Sequence, residues 1–125
     1  MNDTYISFYL KAYRIHVFVD ALRGIGRPSR ICFMISKDRR SLLLAPYNKR
    51  DLKSHNVPKE VYSGLGSMEI SSMMLCNLIA YSHSWDLSLS YRVPGKIYPD
   101  KNVVFFDLTK AEIIRQSNSA VFERE

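Results

Sequence analysis

At 125 residues the chain has room for one compact domain, since domains cluster near ~100–150 residues, and a multidomain enzyme is excluded. With 46% hydrophobic and 24% charged residues, five Gly and five Pro, the composition is that of an ordinary globular protein and excludes a disordered one. Eighteen Lys and Arg against twelve Asp and Glu give a net charge of +6, which favours polyanions as partners through long-range attraction.

The excess lies wholly in the first half. Residues 1–62 carry twelve basic and five acidic side chains, whereas residues 63–125 carry six and seven. Cys32 and Cys76 both sit in apolar runs, where a cysteine packs as a small buried hydrophobe. Met1-Asn2-Asp3-Thr4 has neither the basic nor the apolar segment of a secretory leader, so the expectation is a cytoplasmic protein without a disulfide framework. The longest nearly uncharged stretch, residues 70–85, is shorter than the ~20 residues of a membrane span and contains several Ser, Asn77 and His83.

In chain order, residues 4–19 are rich in Tyr, Ile, Phe and Val, and Tyr13-Arg14-Ile15-His16-Val17 alternates as a strand with Ile15 and Val17 on one face. Phe18, Ala21, Leu22 and Ile25 then fall at helical spacing, and Gly24-Ile25-Gly26-Arg27-Pro28 ends that short helix. Arg30-Ile31-Cys32-Phe33-Met34-Ile35-Ser36 and Ser41-Leu42-Leu43-Leu44-Ala45 form a hairpin about the charged tip Lys37-Asp38-Arg39-Arg40. Residues 46–66 are polar and broken, a connection between two halves. The same order then returns. Met68-Glu69-Ile70 alternates, Ser71 caps a helix over residues 72–83, and Leu87-Ser88-Leu89-Ser90-Tyr91-Arg92-Val93 alternates as a strand. A turn at Pro94-Gly95 and another at Pro99-Asp100-Lys101-Asn102 flank Lys96-Ile97-Tyr98, and Val103-Val104-Phe105-Phe106-Asp107-Leu108 closes the second hairpin. Shifting by 53 residues lays Ile15 on Met68, Val17 on Ile70, Leu22 on Leu75 and Ile25 on Leu78, the mark of a structural pseudo-repeat. Thr109-Lys110-Ala111-Glu112 has the form of a capping box and predicts a last short helix.

No motif for catalysis stands out. In phosphate-binding loops the glycines open a helix after a strand, whereas Gly24-Ile25-Gly26 ends one. Ser82-His83-Ser84-Trp85-Asp86 holds triad residue types in one run, but a triad is assembled from distant segments, so helix-end turn chemistry is the better reading. His16, His55 and His83 lie far apart and pair with no Cys or carboxylate at ligand spacing, which leaves zinc without support. The basic residues are more telling. Arg23, Arg27 and Arg30 flank the first helix end, Lys37, Arg39 and Arg40 crowd the hairpin tip, and Lys49, Arg50 and Lys53 follow. Guanidinium forks and ammonium groups on such projections suit phosphate oxygens, with Tyr13 and Tyr47 as neighbouring rings for stacking on bases. Charged tips and basic edges also keep sheets from aggregating, which is the plainer explanation of the same residues.

Val57-Pro58-Lys59-Glu60-Val61 with Gly64-Leu65-Gly66 resembles a short stretch of swapped-hairpin transition-state regulators that bind DNA, but the glycine-arginine strand that precedes it in that family is missing. Ala21-Leu22-Arg23-Gly24-Ile25-Gly26-Arg27-Pro28 leading into Ile31-Cys32-Phe33-Met34-Ile35, together with residues 75–108, is similar to a family of small uncharacterised proteins of anaerobic Firmicutes. That resemblance implies a bacterial protein of the same scaffold and transfers no active site. The layout of each half also resembles the halves of a sliding-clamp domain, which implies a clamp-like association with DNA.

The sequence thus predicts a single α+β domain over residues 1–116, with a flexible tail over 117–125. Its two β-α-β-β half-repeats, about 4–47 and 66–108, pair into a largely antiparallel sheet with both helices on one face. The expected function is that of a non-enzymatic DNA-associated accessory or regulatory factor. Arg23, Arg27, Arg30, Arg39, Arg40, Lys49 and Arg50 would contact phosphates, with no cofactor, metal, membrane or small-molecule substrate. The alternative is a protein-interaction or self-association module, a homo-oligomer or a protein partner joined through an exposed sheet edge.

Overall fold

A computed structural model describes residues 3–51 and 53–115; the tail expected over 117–125 lies outside them. The described chain forms strands Asp3–Tyr9 (β1), Arg14–Phe18 (β2), Arg30–Ile35 (β3), Ser41–Pro46 (β4) and Ser54–Asn56 (β5). Ser67–Ser71 (β6), Ser90–Tyr98 (β7), Val103–Asp107 (β8) and Glu112–Ile113 (β9) complete them, with helices Val19–Gly24 (α1) and Met73–His83 (α2). All pair antiparallel in one sheet of order β5-β3-β4-β8-β7-β1-β2-β6, and β9 adds to β7.

The expected α+β layering, with both helices on one sheet face, is corrected by this arrangement. Of the described residues 43% are strand, in a nearly closed, barrel-like sheet. The sheet curls because every long strand buries one alternating face in the same cluster: Ile6 and Phe8, Ile15 and Val17, Leu42 and Leu44, Met68 and Ile70, Val93 and Ile97, Val104 and Phe106. A flat sheet would leave half of these side chains in water, whereas a curled one turns all of them onto a single core. No helix layer is then needed to cover the apolar face. The helices go to opposite ends because β2 and β6, which lead into them, run antiparallel, with Phe18 opposite Ser67 and Arg14 opposite Ser71. α1 buries Ala21 and Leu22, and α2 buries Cys76, Ile79 and Ala80.

Read as a ring closed from β6 to β5, the strand order is unchanged when β1 exchanges with β5, β2 with β6, β3 with β7 and β4 with β8. The two homologous pairs, β2 with β6 and β4 with β8, lie against each other. Hydrogen bonds repeat under the exchange: Val19 N–H donates to Gly66 O at 2.9 Å, and Ser72 N–H to Tyr13 O at 3.0 Å. Tyr13 and Gly66 both hold left-handed backbone, at φ 54° and 81°.

Two further expectations are corrected. Pro94-Gly95 makes no turn; β7 runs through it. Pro94, with no N–H to give, lies between the stretch paired with β9 and the stretch paired with β8. Gly95 is bare because a Cβ there would meet the Phe106 ring and sit 3.0 Å from Phe105 O. The helix expected after Thr109 is a single 3-10 turn, Leu108–Lys110, capped by the Asp107 carboxylate, and the chain then enters β9. The connection over 46–66 contributes β5 and a kinked helical turn, Val61–Leu65. No helix among the described residues is long and apolar enough to cross a membrane.

Candidate nucleic-acid interface

The structure divides the seven basic residues into two groups. Arg23 stands at the end of α1, where the backbone closes as a Schellman motif: Arg27 N–H donates to Leu22 O at 3.0 Å and Gly26 N–H to Arg23 O at 3.2 Å, with Gly26 at φ 93°. Arg23 Nη2 donates to Tyr62 O at 3.0 Å, and the Arg27 guanidinium lies 6.0 Å from the centroid of the same tyrosine's ring. The Tyr62 hydroxyl donates to Pro28 O at 2.7 Å, and Val57 N–H to Ser29 O at 2.8 Å. These bonds bind the loop after α1 to the segment before β6. On β3, Arg30 donates from Nε and Nη2 to Ser54 Oγ at 3.1 and 2.6 Å. Its carbonyl accepts from Tyr47 N–H, which carries the chain into the loop of Lys49, Arg50 and Lys53. Arg23, Arg27, Arg30, Lys49 and Arg50 thus share one end of the barrel, the α1 end, together with Lys53. The acids there are Asp3 at the start of β1, Asp20 on α1, Asp51, Glu60, and Asp100 on the turn between β7 and β8, the last two beside Lys59 and Lys101. The Tyr47 hydroxyl bonds Asp51 at 2.9 Å and holds its carboxyl below the usual range, helped by Lys53 N–H and the charges of Lys53 and Lys49.

Arg39 and Arg40 belong to the other end. They sit on the tip between β3 and β4, and β3 alone separates them from Arg30 by about 20 Å. Arg39, at φ 62°, offers its carbonyl to His83 Nε2 at 2.6 Å, which pins the tip to the end of α2. Arg40 O accepts Leu108 N–H at 2.9 Å. No single surface gathers all seven.

The remaining candidates have structural employment. His16 and Arg14 both bond Glu69, at 2.9 and 2.7 Å, and hold that carboxyl below its usual value, His16 most of all. The His55 ring packs edge-on against Phe33, and burial, with Arg30 nearby, lowers its proton affinity. In the run over 82–86, Ser82 donates to Leu78 O, and Asp86 accepts from the Ser88 N–H and hydroxyl. Trp85 stacks on Tyr91 at 4.4 Å. Burial pushes the Cys76 thiol up to about 11, and the Cys32 thiol upward as well. Among the described residues no group of His, Cys, Asp and Glu could hold a metal ion.

Tyr13 is half-buried against the core and Tyr47 is tied to Asp51, so neither expected stacking ring is free. Exposed rings occur elsewhere. Tyr5, Tyr98 and Phe105 project from the outer face of β1, β7 and β8 with 45%, 42% and 40% exposure and line a groove of about 450 Å³ with Pro94, Lys96 and Lys110. The sequence offered a partial signal for them: in Lys96-Ile97-Tyr98 the alternation places Tyr98 opposite in sense to core Ile97. Phe105 gave none, since Val103-Val104-Phe105-Phe106 is apolar throughout. No family model, curated protein or solved structure matches the chain.

Proposed function

We propose that the protein is a non-enzymatic nucleic-acid-associated factor that holds phosphates at the α1 end. One observation carries this reading: Arg23, Arg27, Arg30, Lys49, Arg50 and Lys53, with Lys59 and Lys101, outnumber the acids of the same end of the barrel, Asp3, Asp20, Asp51, Glu60 and Asp100. Cations so placed displace counterions from a phosphate backbone, and the binding constant then falls steeply with salt. Arg39 and Arg40 are left out of this site. In a mobility-shift or anisotropy titration, affinity for duplex DNA should drop as salt rises, and Arg27→Ala with Arg50→Ala should lower the slope of log K against log salt by about two. Micromolar protein that fails to shift duplex at low salt, or a slope the two substitutions leave untouched, removes the reading.

A second reading, self-association, is favoured by α2. No charged residue stands between residues 70 and 85, yet Met74 and Tyr81 are 83% and 88% exposed, and Met73 and Leu87 are exposed beside them. Met73, Asn77 and Tyr81 lie on one stripe, so two antiparallel copies crossing at Asn77 set Met73 against Tyr81 of the second copy. A chain of net charge +6 meets less self-repulsion along a helix that carries no charge of its own, with only the Lys37-Asp38-Arg39 tip beside Tyr81.

A further inference from the structure

We propose that the outer sheet face over β1, β7 and β8 stacks the bases of a single nucleic-acid strand whose phosphates lie on the α1 end. The proposal rests on the reading of that end as a phosphate site.

The face is built by register. Lys96 stands opposite Asp3 on β1 and Phe105 on β8, and Phe105 stands opposite Leu43, itself opposite Met34. One step along, Tyr98 pairs with Val103. Continued through Ala45, Cys32 and Ser54, that row ends beneath the Arg30 guanidinium. Tyr98 and the strand of Arg30 are therefore three strand intervals apart, about 14 Å along the curved outer wall, which a nucleic-acid strand would follow partway around the barrel. At the far side the Arg92 guanidinium lies 5.3 Å from the centroid of the Tyr5 ring.

Phe105 is the costly residue. Its neighbours Val104 and Phe106 turn into the core and lose their contact with water, while Phe105 keeps 40% exposure beside exposed Met34 and half-buried Leu43. A contiguous apolar patch on a charged protein marks a contact surface. Its rings and flanking charges select the occupant. Bases have apolar faces that stack on rings whatever their sequence, and a backbone of phosphates follows cations. The two groove carboxylates do not oppose this. Lys96 stands opposite Asp3 in the β1–β7 register, and Asp107 is bonded to Thr109 with Lys110 and Arg40 close by. The balance of charge at the α1 side of the face is positive: Arg30, Lys49, Arg50 and Lys101 against Asp51 and Asp100. A duplex hides its base faces in its own stack, so only an unpaired strand can use the rings.

The test is fluorescence anisotropy with oligo(dT) of about 12 nucleotides and a duplex of equal length. Oligo(dT) should bind about tenfold more tightly than duplex. Tyr98→Ala and Phe105→Ala should erase that preference while leaving duplex affinity and the thermal melt unchanged, and Tyr98→Phe should retain it. Equal affinity for the two probes, or a preference that survives both alanine variants, overturns the stacking face and leaves the phosphate site standing. Binding to neither probe at low salt overturns both. Tight binding of an arginine-flanked proline-rich peptide, with oligo(dT) unbound, would make the face a peptide groove and also overturn the proposal.

Discussion

At the scale of single residues, two glycines fix how closely the barrel wall can approach its contents. A Cβ on Gly24 would stand 2.5 Å from the Cγ2 methyl of buried Ile97, a side-chain branch that only a χ1 rotation can move, but no main-chain atom is crowded. A Cβ on Gly95 would strike the Phe106 ring and crowd the Phe105 carbonyl, which is main chain held in the β7–β8 ladder. Gly95→Ala should therefore destabilise the protein by about 1–3 kcal/mol and Gly24→Ala by less, as read from urea denaturation midpoints. An order of effects opposite to this would mean that the wall at Gly95 gives way more readily than a tightly packed strand should. The same contact explains why the sequence misled at Pro94-Gly95: the pair is the strongest turn signal in its neighbourhood, and only a partner strand distant in sequence reveals that the glycine serves a close approach.

At the scale of elements, α2 closes like α1 but with the wrong residue. Trp85 N–H donates to Ala80 O at 2.9 Å and Ser84 N–H to Tyr81 O at 3.4 Å, the pattern seen at Gly26, yet Ser84 sits at φ 54° with a Cβ that disfavours it. Ser84→Gly should raise stability by about 0.5–1 kcal/mol, seen as a higher melting temperature without change in helix content. Elements with clean local periodicity were legible: β2, β6, the β3–β4 hairpin and both helices fall where alternation and helical spacing place them, although α2 is capped by Ser72, which accepts from Leu75 N–H, and not by the expected Ser71. β5 and β9 were not, because Ser54-His55-Asn56 and Glu112-Ile113 have no strand pattern of their own and extend only on a preformed edge. The capping-box pattern at Thr109 lost to Asp107, whose carboxylate accepts both the N–H and the hydroxyl of Thr109.

At the scale of the whole molecule, the internal exchange of halves relates two ends that differ in chemistry: the α1 end holds the larger basic cluster, and the other sets the charged tip of Arg39 and Arg40 beside the uncharged helix α2. The 53-residue shift was visible in sequence, but the curl of the sheet was not. Two helices and several amphipathic strands suit a layered α+β domain equally well until one knows that β2 pairs with β6 and β4 with β8. The basic cluster was half legible for a related reason: charge counts locate cations along the chain, and only the hairpin geometry separates Arg39 and Arg40 from Arg30. If the uncharged helix α2 pairs with a second copy, the α1 ends face outward and the dimer can hold two nucleic-acid segments. Sedimentation equilibrium should then give a weak dimer, with a dissociation constant of about ten micromolar or more for so small a contact, abolished by Tyr81→Glu. A strictly monomeric wild type at the highest soluble concentration would dismiss the pairing.

The position of β1 has a consequence for how the chain reaches this fold. It lies between β2, its neighbour in sequence, and β7, whose nearest paired residues join Tyr9 to Ser90. The first hairpin can form at once, but its second edge stays open until most of the chain has been made and α2 has formed. Long-range pairing of this kind carries a large loop-closure entropy and places folding in the slow, high-contact-order regime. Until β7 arrives, the exposed edge of β1, with Tyr5, Ile6 and Phe8 along it, is the segment of the nascent protein most prone to pair with the wrong strand.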